Sequence, residues 1–147
     1  PKNLSLNSQA GLCEDLGQTL RVKTMQPIEW DEDKYSVGNQ IIDNQHHQII
    51  ISINRLIAQY NKGLKEDIVK DINQTGYQFE SHFIVEEMLL EGVGSPHTKD
   101  ERDAHEKYHI NLMEILIEHP VDDVLIYLIT WWTEHILVDN MKFKGEL

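Results

Sequence analysis

Two pairs of potential metal ligands, His82 with Glu86 and His105 with His109, constrain this chain more than any other feature of it. The members of each pair are four residues apart, close to one helical turn, so each pair projects from one face of a helix. Two such faces opposed across a core make half of a metal cage. His46 upstream and His135 downstream are available to complete it.

The surrounding apolar residues keep the same helical period. Ile42, His46, Ile49, Ile50, Ile53, Leu56 and Ile57 fall at three- and four-residue steps and predict a first long helix from about Asn39 to about Tyr60, with Gly63 in the turn. A second helix is expected from about Lys65 to Leu90, with Ile68, Ile72, Phe79, His82, Phe83 and Glu86 facing inward. Gly76 in its middle costs roughly 1 kcal/mol against alanine and is read as a place where backbone or ligand comes close. Gly92, Gly94 and Pro96 end it. A third helix is expected from about Lys99, carrying His105, His109, Leu112, Met113 and Leu116. His119-Pro120 stops that helix, because a residue before proline is driven out of the α region. Pro120, Asp122 and Asp123 suit the start of a fourth helix, with Leu125, Leu128, Ile129, Trp132, His135 and Ile136 buried. The expected fold is all-α: an antiparallel up-down-up-down four-helix bundle with an N-terminal arm. Residues 27–147 form that domain, and residues 1–26 an extension or linker in which Leu12, Leu16 and Leu20 hint at a short amphipathic helix. Trp30 and Val37 bracket an arm expected to pack across the end of the bundle.

The inward faces carry five histidines in all. Burying several imidazoles without partners is costly, whereas a metal takes up one nitrogen lone pair of each. His47, His97 and His119 fall off the stripes or in turns and read as surface residues, and Glu87, next to Glu86, is expected to point to solvent. A mixed nitrogen and oxygen donor set without thiolate suits iron or manganese better than structural zinc. The net charge of −12 disfavours nucleic acid and anionic membrane as partners. The longest apolar run, from Val124 to Trp132, is too short to span a bilayer, residues 1 to 25 lack a leader-like apolar core, and the single Cys13 suits a reducing compartment. A cytoplasmic location is expected.

Trp30, Val37-Gly38, the run Ile42 to His46, the run His82 to Glu87, the run His105 to His109 and the run Trp131 to Ile136 resemble the hemerythrin family, in its bacterial branch, over about residues 28 to 145. The resemblance implies two iron ions, cycling between Fe2+ and Fe3+ with a bridging oxo or hydroxo group, and O2 as the ligand. It implies that His105, His109 and His135 hold one iron, that His46 and His82 hold the other with an open position, and that Glu86 bridges the pair. It also implies apolar walls near Ile50, Phe83 and Leu112 that exclude water.

Two positions depart from the family pattern. A second bridging carboxylate is expected five residues after the last histidine, where this chain has Asn140, with Asp139 one place earlier as the alternative. A neutral amide is a poor bridge, so the site is expected to be one carboxylate short and to favour the reduced pair. The segment from Glu86 to His105 reads as longer than the family's and predicts a looped-out insertion. The function implied is O2 binding without catalysis of its own, as a carrier or store or as the O2- and redox-sensing domain of a larger signalling protein or signalling enzyme. A di-iron oxidase or peroxidase and an iron-storage bundle are the alternatives.

Overall fold

The computed structural model describes residues 24–147, so nearly all of the expected extension at 1–26, with the Leu12, Leu16 and Leu20 spacing, lies outside the described residues. Among the described residues every regular element is helical. A short α1 (Glu32–Tyr35) precedes α2 (Gln40–Asn61), α3 (Lys65–Gly92), α4 (Thr98–Glu118) and α5 (Val121–Glu134), and α5 runs on through a π-helical turn (His135–Asp139) into a 3-10 turn (Asn140–Phe143). Successive long helices pack side by side and α5 closes against α2, which gives the expected four-helix bundle. Among the described residues no helix is long and apolar enough to cross a membrane.

Local chemistry sets the helix ends. The Asn39 side chain accepts hydrogen bonds from the backbone N–H groups of Ile41 and Ile42, which would otherwise be unpaired at the start of α2. Gly63 leaves α2 at φ +75, a conformation that side chains with a Cβ resist. Gly94, at φ +67, does the same service after α3, and the turn from Val93 to His97 then leads directly into α4. The looped-out insertion expected there is absent, because both flanking helices extend into the segment. Gly76 is not a point of close approach either: a Cβ built on it meets nothing within 4 Å.

The core is made of the predicted stripes of α2, α3 and α5. Ile42, Ile53, Leu56, Phe79, Leu125 and Trp132 are all buried, each contributing roughly 1.5–3 kcal/mol against exposure. The stripe of α4 is rotated from the expected one. Its buried residues are Glu101, His105 and Tyr108, with Leu112 and Ile115 packed against the core, whereas Met113 is 58% and Leu116 41% exposed.

Ahead of the Trp30–Val37 stretch, Met25 to Ile28 lie lengthwise along α2. Asn54 receives the Ile28 N–H at 2.7 Å and donates to the Ile28 carbonyl at 2.7 Å, and Asn61 brackets Met25 in the same way at 3.0 and 2.9 Å. Those two asparagines are seven residues apart on one face of the helix, so the extended arm runs antiparallel to it. The stretch between Trp30 and Val37 then packs at the end of the bundle, as expected: α1 touches the π-helical turn, and Val37 is buried with Ile42, Leu90 and the C-terminal Phe143, its carbonyl accepting from the Gly145 N–H at 3.0 Å.

Candidate metal centre

Glu86 stands at the middle of a buried polar cluster inside the bundle. Its phase on α3 is fixed by Phe79, His82, Phe83 and Leu90, which occupy the same inward face. One carboxylate oxygen, Oε2, lies 3.2 Å from His82 Nε2. The other, Oε1, lies 3.3 Å from His105 Nε2 and 3.8 Å from His135 Nε2. The two oxygens therefore serve two different sets of imidazoles.

Around Glu86 the side chains form two groups whose donor atoms all lie within 4.8 Å of one another: Glu86 with Glu101, His105 and His135, and Glu86 with His46 and His82. Every member is buried. Donors bound at about 2.1 Å to one ion sit roughly 3.0–3.4 Å apart, so the shortest separations here already match and the rest require only a small contraction. Hydrogen bonding gives a second test of the same idea. Among the described residues thirteen buried side-chain atoms have no hydrogen-bond partner, and nine of them belong to His46, His82, Glu86, Glu101, His105, His135 and Asn140. Glu86 is partly compensated by His82 and His105 at 3.2 and 3.3 Å, but the remaining buried atoms lack partners, and a cation that accepts the lone pairs satisfies the whole set together.

The charge states agree with a cation site. Burial, with His82 as a neighbour, holds the His46 imidazole well below its usual range, and burial does the same to a lesser degree for His135, so both offer free lone pairs. Burial alone would raise the Glu86 carboxyl, but His105 and His82 beside it hold it well below the ordinary value. Glu101 is the reverse case: burial and the nearby Glu86 push it up to about 8. Two carboxylates taken out of water side by side repel, and a metal ion relieves both the repulsion and the desolvation.

The last helix supplies two members through its π-helical turn. Asn140 is fully buried, with Nδ2 3.3 Å from His135 Nε2 and its side chain also reaching His46, so it spans the two groups. Asp139 is turned outward, ion-paired with Lys142 at 2.9 Å, and its Oδ2 stands 3.8 Å from His135 Nδ1. The partnership with His135 and Lys142 holds the Asp139 carboxyl below its ordinary range. Of the two candidates on this stretch, the structure brings Asn140 inside and leaves Asp139 behind the histidine.

Further partners hold the imidazoles from behind. His105 Nδ1–H donates to Glu87 Oε1 at 2.7 Å, and Glu87 is itself held by Arg102 Nε at 3.2 Å, while Arg102 also pairs with Glu91 at 2.8 Å. Glu87 thus faces His105, not open solvent as expected. On the opposite side His82 Nδ1–H donates to Gln45 Oε1 at 3.0 Å. Such outer partners fix the ring orientation and the nitrogen that faces a metal. Rings pack around the cluster: Phe83 stacks on His105 at 3.9 Å, Trp131 stacks on His135 at 4.5 Å, and Trp132 meets His46, His82 and His135 at 5.5–5.7 Å.

The structure thus gathers His46, His82, Glu86, His105, His135 and Asn140 and leaves His109 apart. His109 is half-buried, set edge-on to Phe83 at 5.8 Å, and lines a groove between α3 and α4 with Glu106 and Ile110. The rotation of α4 that turns Tyr108 inward carries His109 to its flank and brings in Glu101, one turn before His105. Glu101 was the residue that spacing alone did not single out. The signal for it is present in the chain: Glu101 and His105 are four apart, as are His82 and Glu86, and Tyr108, Leu112 and Ile115 continue the Glu101–His105 stripe at three- and four-residue steps. His47 stacks on Trp30 at 5.3 Å, His97 lies 3.5 Å from Glu146, and His119 pairs with Asp123, all away from the cluster.

Comparison with known proteins finds relatives over most of the chain. It is 30% identical over 126 residues to a hemerythrin-like protein of Naegleria gruberi, covering 82% of this chain and 94% of that protein. It is 25% identical over 125 residues to a bacteriohemerythrin of Stenotrophomonas maltophilia, covering 82% and 81%. A bacteriohemerythrin of Pseudomonas paraeruginosa is 27% identical over 125 residues, covering 81% and 80%. No family model and no solved structure matches the chain.

Proposed function

From its membership of the hemerythrin family, to which this chain belongs, we propose that it is a non-haem di-iron protein that binds O2. The observation that carries this reading is the cluster of nine buried polar atoms without a hydrogen-bond partner, the two oxygens of Glu86 and seven atoms of the side chains around it. In this reading Glu101, His105 and His135 would hold one iron and His46 and His82 the other, with Glu86 shared between the two groups. Asn140 stands where the second bridging carboxylate is expected, and its Oδ1 is free to ligate. Iron, when bound, supplies the electrons that reversible O2 binding requires.

The chain's own residues set the conditions for that chemistry. Four imidazoles and two carboxylates provide hard and borderline donors without thiolate, a set suited to iron. Gln45 and Glu87 orient His82 and His105 from outside. Ile50, Phe83 and Trp132 are buried and Leu112 is packed against the same core, so water reaches the cavity poorly and a small apolar ligand is favoured over it. The half with His46 and His82 has fewer protein donors and is the side left open for a ligand.

The role is that of a carrier or store, or of a sensing domain within a larger protein. One observation favours a second reading: Glu101 adds a terminal carboxylate, and carboxylate-rich di-iron bundles are the ones associated with oxidase chemistry. Both are tested on the same sample by counting iron per chain and recording the visible spectrum of the reduced protein before and after O2. Two irons and a band that appears with O2 and disappears on its removal support O2 binding. Steady peroxide turnover supports the oxidase, and two irons with no O2-dependent band leave storage.

A further inference from the structure

Glu86 divides the cluster into two unlike halves. On the Oε1 side, Glu101 adds a second buried carboxylate, with Oε2 4.0 Å from His105 Nε2 and 3.8 Å from His135 Nδ1. On the Oε2 side stand only the imidazoles of His82 and His46, whose ring centroids are 4.7 Å apart. Between the halves, at the position that would let a carboxylate share its charge equally, the chain has the neutral Asn140. The second buried carboxyl group of the cluster therefore lies on one half and not between the two.

We propose that Glu101 makes the two halves bind divalent metal unequally: the Glu101, His105 and His135 half is the high-affinity site and fills first, and the His46 and His82 half is the weaker site that fills second. The proposal rests on the reading of the cluster as a two-metal centre. Two ions sharing a bridge stand about 3.5–4 Å apart and repel each other strongly in a dry interior. The first to bind faces two carboxylates and two imidazoles. The second faces two imidazoles, an amide and whatever share of Glu86 remains. At limiting metal a one-metal protein therefore accumulates, and Glu101, not His109, decides which half holds the ion.

The test is a titration of the metal-free full chain with Co2+ in the absence of O2, followed by calorimetry and by the visible spectrum, alongside thermal unfolding of the metal-free protein. Wild type is expected to take up two equivalents in two phases, the first tighter by at least about tenfold, the scale on which single partners tune a metal site. Glu101→Gln should weaken the first phase by more than the roughly 10- to 100-fold that loss of an outer partner costs. It should leave the unfolding midpoint of the metal-free protein unchanged or raised, since a neutral amide of the same shape replaces a buried carboxyl. Glu101→Asp, which keeps the charge on a shorter arm, should fall between them, and Asn140→Asp should tighten the second phase and narrow the gap. Two equivalents of equal affinity in wild type overturn the proposal alone. So does a Glu101→Gln effect confined to the second phase, or one matched by loss of metal-free stability, which would make Glu101 structural. Wild type that binds one ion or none overturns the two-metal reading itself.

Discussion

Glu87→Ala tests whether the partners behind the histidines govern the centre. Glu87 is only partly exposed, and its Oε1 lies 2.7 Å from the Nδ1 of His105, whose side chain is 4% exposed. Removing the carboxylate leaves that N–H without its acceptor and frees the ring to turn, so its Nε2 no longer has a fixed direction toward Glu86. Loss of one such outer partner costs about 10- to 100-fold in metal affinity, which is about 1.4–2.7 kcal/mol at about 1.4 kcal/mol per tenfold change. Glu87→Gln keeps an acceptor oxygen but not its charge and should fall near the lower end. Arg102→Ala is the control: Arg102 bonds the far oxygen of Glu87, but its side chain is 47% exposed, and such pairs contribute roughly 0–1 kcal/mol. Competition for Co2+ against a chromophoric chelator reads all three variants, with thermal unfolding of the metal-free forms to show that each folds. Wild-type affinity in Glu87→Ala, or an equal loss in Arg102→Ala, would refute the reasoning.

Three other outcomes are expected of the structure. His109→Ala should retain both metal equivalents in the same titration, because His109 lies on the flank of α4; loss of an ion would restore it to the ligand set. Metal affinity should climb with pH up to about 8 and level off above it, measured by equilibrium dialysis, because an ion must displace the proton that burial and Glu86 hold on Glu101. The same raised carboxyl stabilises the metal-free fold below its ordinary 4.5, and that contribution is lost as pH rises through about 8, whereas the lowered His46 acts in the opposite sense and its contribution is lost as pH falls below 6.5. Gly76→Ala should raise stability by about 0.5–1 kcal/mol in urea unfolding, since a Cβ meets nothing there and the helix loses its most flexible interior residue; a destabilised variant would mean that the backbone has a partner at that point.

Helix periodicity made most of this fold legible, because three of the four long helices bury one broad apolar stripe with little ambiguity. The fourth shows where that reasoning fails. On α4 a histidine pair at 105 and 109 has the spacing of a ligand pair, but so does the pair at 101 and 105, and a shift from one to the other rotates the helix by less than a quarter turn. Met113, Leu116 and Ile117 add apolar residues to the wrong side, all of them exposed in the fold, so hydrophobicity did not separate the two phases. Tyr108 did hold the answer, as a large side chain fully buried three residues after His105. The expectation about charge changes with the phase: beside Asn140 the cluster holds a second buried carboxyl group, Glu101, next to Glu86.

The choice between Asp139 and Asn140 was a question about helix type, which the local sequence does not answer. Five residues along an α-helix is about 500°, leaving Asn140 roughly 140° away from His135, while Asp139 at four residues would share its face. The π-helical turn from His135 to Asp139 reverses the preference, because i to i+5 hydrogen bonding brings the fifth residue back over the first. A π turn is uncommon, and here the C-terminal segment holds it in place. Phe143 is buried against Val37, Ile42 and Leu90, and the Gly145 N–H is bonded to Val37, so the end of the chain is anchored to the start of α2 and the end of α3. With that anchor in place, the widened turn sets Asn140 between His46 and His135 and leaves Asp139 outside to face His135 Nδ1 and Lys142. The register of that turn therefore sets Asn140, and not Asp139, between the two halves, where the buried carboxyl groups are those of Glu86 and Glu101.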